Sequence, residues 1–365
     1  CALRNNRPVP LLPSLSRLLP RLPAMLLTLA VAGLGGAAFS LLGVPLAWML
    51  GAMAASGALA WHERADVAAP IRPVGLIFLG LGLGQTFTPA VMAAVGQAAG
   101  WLVLAAVLSL LVGALTANLF ARIARSDDKT GYYASVPGGV VVMAVLAQRA
   151  GVSVPAVTLA QTIRVMVVVV VVPPLVTWLV PHGSDGDFLA VRGPTWLPGL
   201  LAMATGGLVA GFVLRWLGIA NPWMLGPCIM TASLGTLWGL PSGVPAWMVI
   251  LAQVALGMSL GVRITRRFIL SSRRLAVASG ATALLLCVLM AAVAGGFAWV
   301  SGLPFAAAVL GLAPGGMPEM TITAKTLEVA VPLVLGFHIV RMLLCNVAVE
   351  PFWRLAVRLR LLRAS

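Results

Sequence analysis

Pro314-Gly315-Gly316-Met317-Pro318-Glu319-Met320 interrupts a strongly apolar stretch, and a copy of it, Pro137-Gly138-Gly139-Val140-Val141-Val142-Met143, stands 177 residues earlier. Two prolines and two glycines within five residues of the later copy do not propagate a regular helix. In lipid, interrupted backbone is tolerated only where protein or a water-filled cavity satisfies its N–H and C=O groups. Glu319 adds an ionisable group beside the second interruption. At the corresponding place in the first copy stands Val142.

The surrounding chain is that of a membrane protein. Of its 365 residues 61% are hydrophobic and 9% charged, with a mean hydropathy of +1.04; a soluble domain carries about 25% charged residues. Many apolar runs approach the ~20 residues that cross a bilayer as a helix. The net charge of +15 comes from arginines in short loops and tails, where the tendency of positive loops to stay in the cytoplasm accounts for them. Direct contact with nucleic acid is therefore not expected. Cys1, Cys228, Cys287 and Cys345 are far apart, as are His62, His182 and His338, and none has metal-ligand spacing. No metal, cofactor or enzymatic activity is expected. Gly82-x-Gly84 is followed by no Lys-Ser/Thr, so ATP drive within this chain is not expected either.

The chain repeats itself. Gly43 followed by Trp48-Met49-Leu50-Gly51 matches Gly218 followed by Trp223-Met224-Leu225-Gly226 at an offset of 175. Gly80 to Gly84 matches Gly257 to Gly261, Pro155 matches Pro332, and Arg164 matches Arg341, all at 177. Several matches at one offset indicate duplication. The expected layout is a basic cytoplasmic tail (1–21), a first membrane repeat (22–181), a polar linker (182–196), a second repeat (197–358) and a second tail (359–365).

Loop charge orients the two repeats in opposite senses. Between the third and fourth spans, the first repeat has no charge from Gln85 to Gly100, whereas the second has Arg263, Arg266, Arg267, Arg273 and Arg274. After the fourth span the pattern reverses, with Arg122, Arg125 and Lys129 in the first repeat only. The same loop is then inside in one repeat and outside in the other. The fold expected is an all-α polytopic membrane protein of two inverted repeats. Each has about five spans plus a Pro-Gly-Gly re-entrant or broken helix, and both termini are cytoplasmic. Ten spans satisfy the charge pattern better than twelve, which would expose the five-arginine loop outside.

The duplicated Pro-Gly-Gly-x-x-x-Met, the Trp-Met-Leu-Gly after a Gly/Pro-rich turn, and Gln161-x-x-Arg164 with its counterpart His338-x-x-Arg341 resemble the AbrB-type bacterial inner-membrane family over about residues 22–360. That family is distinct from the soluble DNA-binding AbrB. Its members carry the labels "ammonia monooxygenase" and regulator of gene expression (AbrB/AidB type). The resemblance implies a multi-pass, transporter-like protein of the bacterial inner membrane. The family motif often reads Pro-Gly-Gly-x-x-Glu-Met, which Glu319 satisfies and Val142 does not.

Two functions remain in view. One is a secondary transporter, driven by protons or sodium, that moves a small solute through a midplane site, with Glu319 the candidate for proton coupling. The other is a membrane protein that influences gene expression without transport of its own. The monooxygenase label would need a clustered metal site, which scattered His, Cys and acids do not supply. The candidate solute- or ion-binding residues are Pro137, Gly138, Gly139, Met143, Gln161, Arg164, Pro314, Gly315, Gly316, Glu319, Met320, His338 and Arg341. Glu319 is either a coupling carboxylate or half of a structural pair with Lys325 or Arg341. Arg164 and Arg341 either hold an anion or cap carbonyls freed by the breaks. His338 either relays protons or is a satisfied buried histidine. The partners expected are the solute and the lipid bilayer, with homo-oligomerisation left open.

Overall fold

A chain this rich in apolar residues must satisfy its backbone within each segment, and it does so as helix. The computed structural model describes residues 21–179, 194–237, 239, 242–270 and 272–359. Most of the N-terminal basic tail, most of the 182–196 linker and the end of the C-terminal tail lie outside the described residues. Among these residues the secondary structure is entirely helical, in two successive sets of eight.

The first set is α1 (Leu22–Leu41), α2 (Ala47–Trp61), α3 (Ile71–Gly84), α4 (Pro89–Gln97), α5 (Ala99–Ala124), α6 (Asp128–Ser135), α7 (Val140–Arg149) and α8 (Val154–Leu179). The second is α9 (Leu197–Trp216), α10 (Pro222–Leu237), α11 (Ala246–Gly261), α12 (Arg266–Leu270), α13 (Arg273–Ser301), α14 (Phe305–Leu312), α15 (Met317–Thr326) and α16 (Val331–Arg358). The duplication read from sequence recurs element by element, down to the caps. Thr88 accepts from the Val91 N–H at the start of α4, and Thr265 accepts from the Phe268 N–H at the start of α12. Leu46 and Asn221, one offset apart, both take the left-handed conformation just before α2 and α10.

Among the described residues six helices, α1, α5, α8, α9, α13 and α16, are long and apolar enough to cross a membrane. The bent pair α3–α4, which turns through 96°, would make a seventh. Helices α2, α3, α10 and α11 have only 14–16 residues, short of the ~20 of a full perpendicular crossing. The difference from the ten-span expectation lies in these short helices.

The helices sort into two bundles, each drawing on both sets. Helices α1, α2 and α3 pack with α9, α10 and α11. Helices α5 to α8 pack with α13 to α16. The first bundle is held by close backbone crossings: a Cβ on Gly80 would collide with the Met224 carbonyl, and one on Gly257 with the Met49 carbonyl. Small residues that let backbones touch are the usual adhesive between helices in lipid. Between the bundles, the substantial helix contact is α3 against α15, and an apolar cluster is continuous through both. Exposed large apolar side chains such as Leu34, Leu115, Val209, Trp216, Val288 and Trp299 cover the outside, as a lipid-facing surface requires.

Candidate functional site

Each Pro-Gly-Gly segment separates two helices rather than abolishing one. Helix α6 stops at Ser135, residues 136–139 are non-helical, and α7 resumes at Val140. Helix α14 stops at Leu312, residues 313–316 are non-helical, and α15 resumes at Met317. The breaks are thus shorter than the seven-residue motifs. Pro318 falls in the first turn of α15, where its missing N–H costs no hydrogen bond. Met143, Glu319 and Met320 consequently stand on helix, not on broken backbone.

The carbonyls freed by the breaks are met by the long helices that follow. From α8, Arg164 donates to Val136 O at 3.1 Å and to Gly138 O at 2.8 Å. From α16, Arg341 donates to Ala313 O at 2.7 Å and to Gly315 O at 3.0 Å. The two arginines therefore do the same work one offset apart. Gln161 adds contacts from its amide nitrogen to the carbonyls of Tyr133, Ala134 and Val136. His338 takes the matching place in the second set: its Nε2 lies 3.1 Å from Leu310 O and its Nδ1 2.7 Å from Arg341 Nη2. An arginine can only donate, so Nδ1 accepts and Nε2–H donates to Leu310 O. Both ring nitrogens of a neutral imidazole are thereby engaged.

Both breaks open onto one cavity of about 520 Å³ between the two bundles. Pro137, Gly138, Gly139, Arg164, Gly315, Gly316, Glu319, His338 and Arg341 line it. Gln161, Met143, Pro314 and Met320 are buried and do not line it. Met143 packs in a cluster with Tyr132 and Cys345, and Met320 in the main apolar core.

Glu319 is 1% exposed. Its Oε1 lies 3.1 Å from Arg72 Nη2, and the other Arg72 nitrogen donates to Ser259 Oγ at 2.9 Å. The partner of Glu319 is thus Arg72, at the start of α3, and neither Lys325 nor Arg341. Lys325 instead donates to the Gly82 carbonyl near the end of α3. What brings Arg72 to Glu319 is the packing of α3 on α15, which no local signal in the sequence records. The other carboxylate oxygen, Oε2, is buried without a hydrogen-bond partner. It lies over Gly316, where a Cβ would collide with it, so the carboxylate folds back over the N-terminus of its own helix. A negative charge is favoured there by the helix dipole.

The first bundle contributes further cations that sequence reasoning missed. Arg215 and Arg263 line the same cavity, with Asn221 and Trp223, and the Arg215 guanidinium sits 5.9 Å from the Trp223 ring centre. Five arginines face the cavity against one glutamate. A cleft with low-dielectric walls and one dominant sign of charge concentrates ions of the opposite sign.

Comparison with known proteins agrees with the repeated motifs. Residues 48–357 match the family described as "Transition state regulatory protein AbrB". The chain belongs to the AbrB family. The chain is 25% identical over 355 residues to YhjN of Bacillus subtilis (strain 168), a protein named as uncharacterized, covering 90% of this chain and 91% of that one. It is 25% identical over 270 residues to a protein of Escherichia coli (strain K12) bearing the provisional name regulator AbrB, covering 72% of this chain and 76% of that one.

Proposed function

We propose that this AbrB-family protein is a secondary transporter whose solute binds in the cavity between the bundles. The observation that carries this reading is the meeting of both helix breaks and a buried glutamate at one cavity of about 520 Å³. Secondary transporters with internal repeats bind their solutes at discontinuous helices, and 300–1,000 Å³ is the ordinary range of small-molecule sites. In this reading the repeats are inverted, ten crossings place both termini in the cytoplasm of a bacterial inner membrane, and the broken helices meet near the midplane. The bundle holding the breaks moves against the other, exposing the cavity to either side. Glu319, joined to Arg72 across the seam, exchanges a proton as that ion pair opens and closes.

The regulator label of the E. coli relative fits an indirect effect, since a change in internal solute concentration reaches transcription without contact with DNA.

The test is access. With the native cysteines replaced, Ala220→Cys would place a thiol on the cavity wall. Membrane-impermeant reagents should label it from each face in oppositely oriented vesicles. Labelling from one face alone under every gradient would sink alternating access.

A further inference from the structure

The two breaks are alike in backbone but not in charge. At the second, the N-terminus of α15 carries its own carboxylate, Glu319, on the third helical residue. At the first, the residue of the same register on α7 is Val142, which lines the cavity, and the α7 N-cap, Gly139, offers no side-chain cap. The start of α7 is therefore a positive helix end facing a cavity with five arginines. The single acid opposite has one buried oxygen without a partner.

We propose that the cavity binds a small organic carboxylate, and that its carboxylate sits at the N-terminus of α7, in the place that Glu319 fills at α15. The inference rests on the cavity being a solute site and names the class of solute. The helix N-terminus supplies N–H donors to an anion, and the arginines of the first bundle supply charge from across the cavity. Val140, Val165, Ile219, Leu260 and Met342 give the rest of the wall an apolar character, suited to a hydrocarbon body behind the charged head. The unpartnered Oε2 of Glu319 accepts a proton when the anion draws Arg72 away. One proton and one anion then bind together, and no net charge is added to the site.

Isothermal titration calorimetry of the whole protein in nanodiscs tests this without measuring flux. Benzoate and hexanoate are the carboxylate probes, inorganic phosphate and tetraethylammonium the alternatives. Saturable binding of at least one carboxylate, with proton uptake that scales with buffer ionisation heat, is the expected result. Val142→Glu builds in the missing carboxylate and should weaken that binding by about tenfold or more through like-charge repulsion; Val142→Gln, of the same shape and neutral, should weaken it by less. Thermal melting of both variants monitors folding, and if Val142→Glu does not fold, Arg263→Gln should lower carboxylate affinity in its stead. Binding of phosphate alone, or of tetraethylammonium alone, would overturn the proposal. So would carboxylate binding that a folded Val142→Glu or Arg263→Gln leaves unchanged. Carboxylate binding without flux in proteoliposomes would overturn the transport reading and leave this one standing.

Discussion

Arg72 and Glu319, 3.1 Å apart and 247 residues distant in sequence, form an ion pair across the seam between the two bundles. Glu319 is almost fully enclosed while the Arg72 side chain is 29% exposed. Removing one partner of a buried pair costs more than the pair itself contributes, because the remaining charge is stranded. In the proposed transport cycle the pair acts as a latch, whose opening requires a substitute for one member.

That latch gives the first prediction. Glu319→Gln keeps the shape and removes the charge. Proteoliposomes with this variant should lose solute uptake driven by a pH gradient while retaining exchange of solute for solute. Undiminished gradient-driven uptake would end the coupling role of Glu319.

Gly316 governs the same carboxylate sterically. A methyl group at this position would meet Oε2 of Glu319. Gly316→Ala should therefore displace the carboxylate from Arg72, weaken proton-coupled uptake by about tenfold, equivalent to ~1.4 kcal/mol, and lower the melting temperature, because the displaced carboxylate is left buried without its partner. A variant as active as the parent would show the carboxylate position to be unimportant.

Arg164 and Arg341 should prove necessary for stability. Truncating Arg341 to Ala orphans the carbonyls of Ala313 and Gly315 and one nitrogen of His338. At about 1–3 kcal/mol for each unsatisfied buried group, the loss for the two carbonyls alone is about 2–6 kcal/mol. Arg164→Ala should cost less, because Val136 O keeps its bond from Gln161 and only the Gly138 carbonyl is orphaned. Thermal unfolding in detergent measures both, and a melting temperature unmoved by either change would remove the capping role.

The inverted arrangement has its own test. Thr88 and Thr265 cap equivalent helices in the two sets. In the proposed topology, cysteines at these positions react with impermeant reagents from opposite faces, 88 from outside and 265 from the cytoplasm. Reaction of both from one face would refute the inversion.

Much of this architecture was legible in sequence because glycine, proline and arginine act locally. The Pro-Gly-Gly copies marked the breaks, and the constant offset paired Arg164 with Arg341 before any coordinates. The extent of each break was not legible, since Pro318 opens a helix as readily as it ends one. The site's electrostatics were half visible. Glu319 stood out as a carboxylate in apolar sequence, but nothing local marked Arg72, Arg215 or Arg263 as facing the same cavity. Their role follows from one bundle lying against the other, a relation between residues up to 247 apart that no periodicity encodes.

The glycine crossings at Gly80 and Gly257 have a mechanical consequence. Where backbone rests directly on backbone, no rotamers lie between to slip or re-pack, and the joint has no slack. The six helices α1–α3 and α9–α11 should respond to force as one stiff plate. If the protein cycles as proposed, its working stroke is taken up at the seam between the bundles and in the connectors that join them.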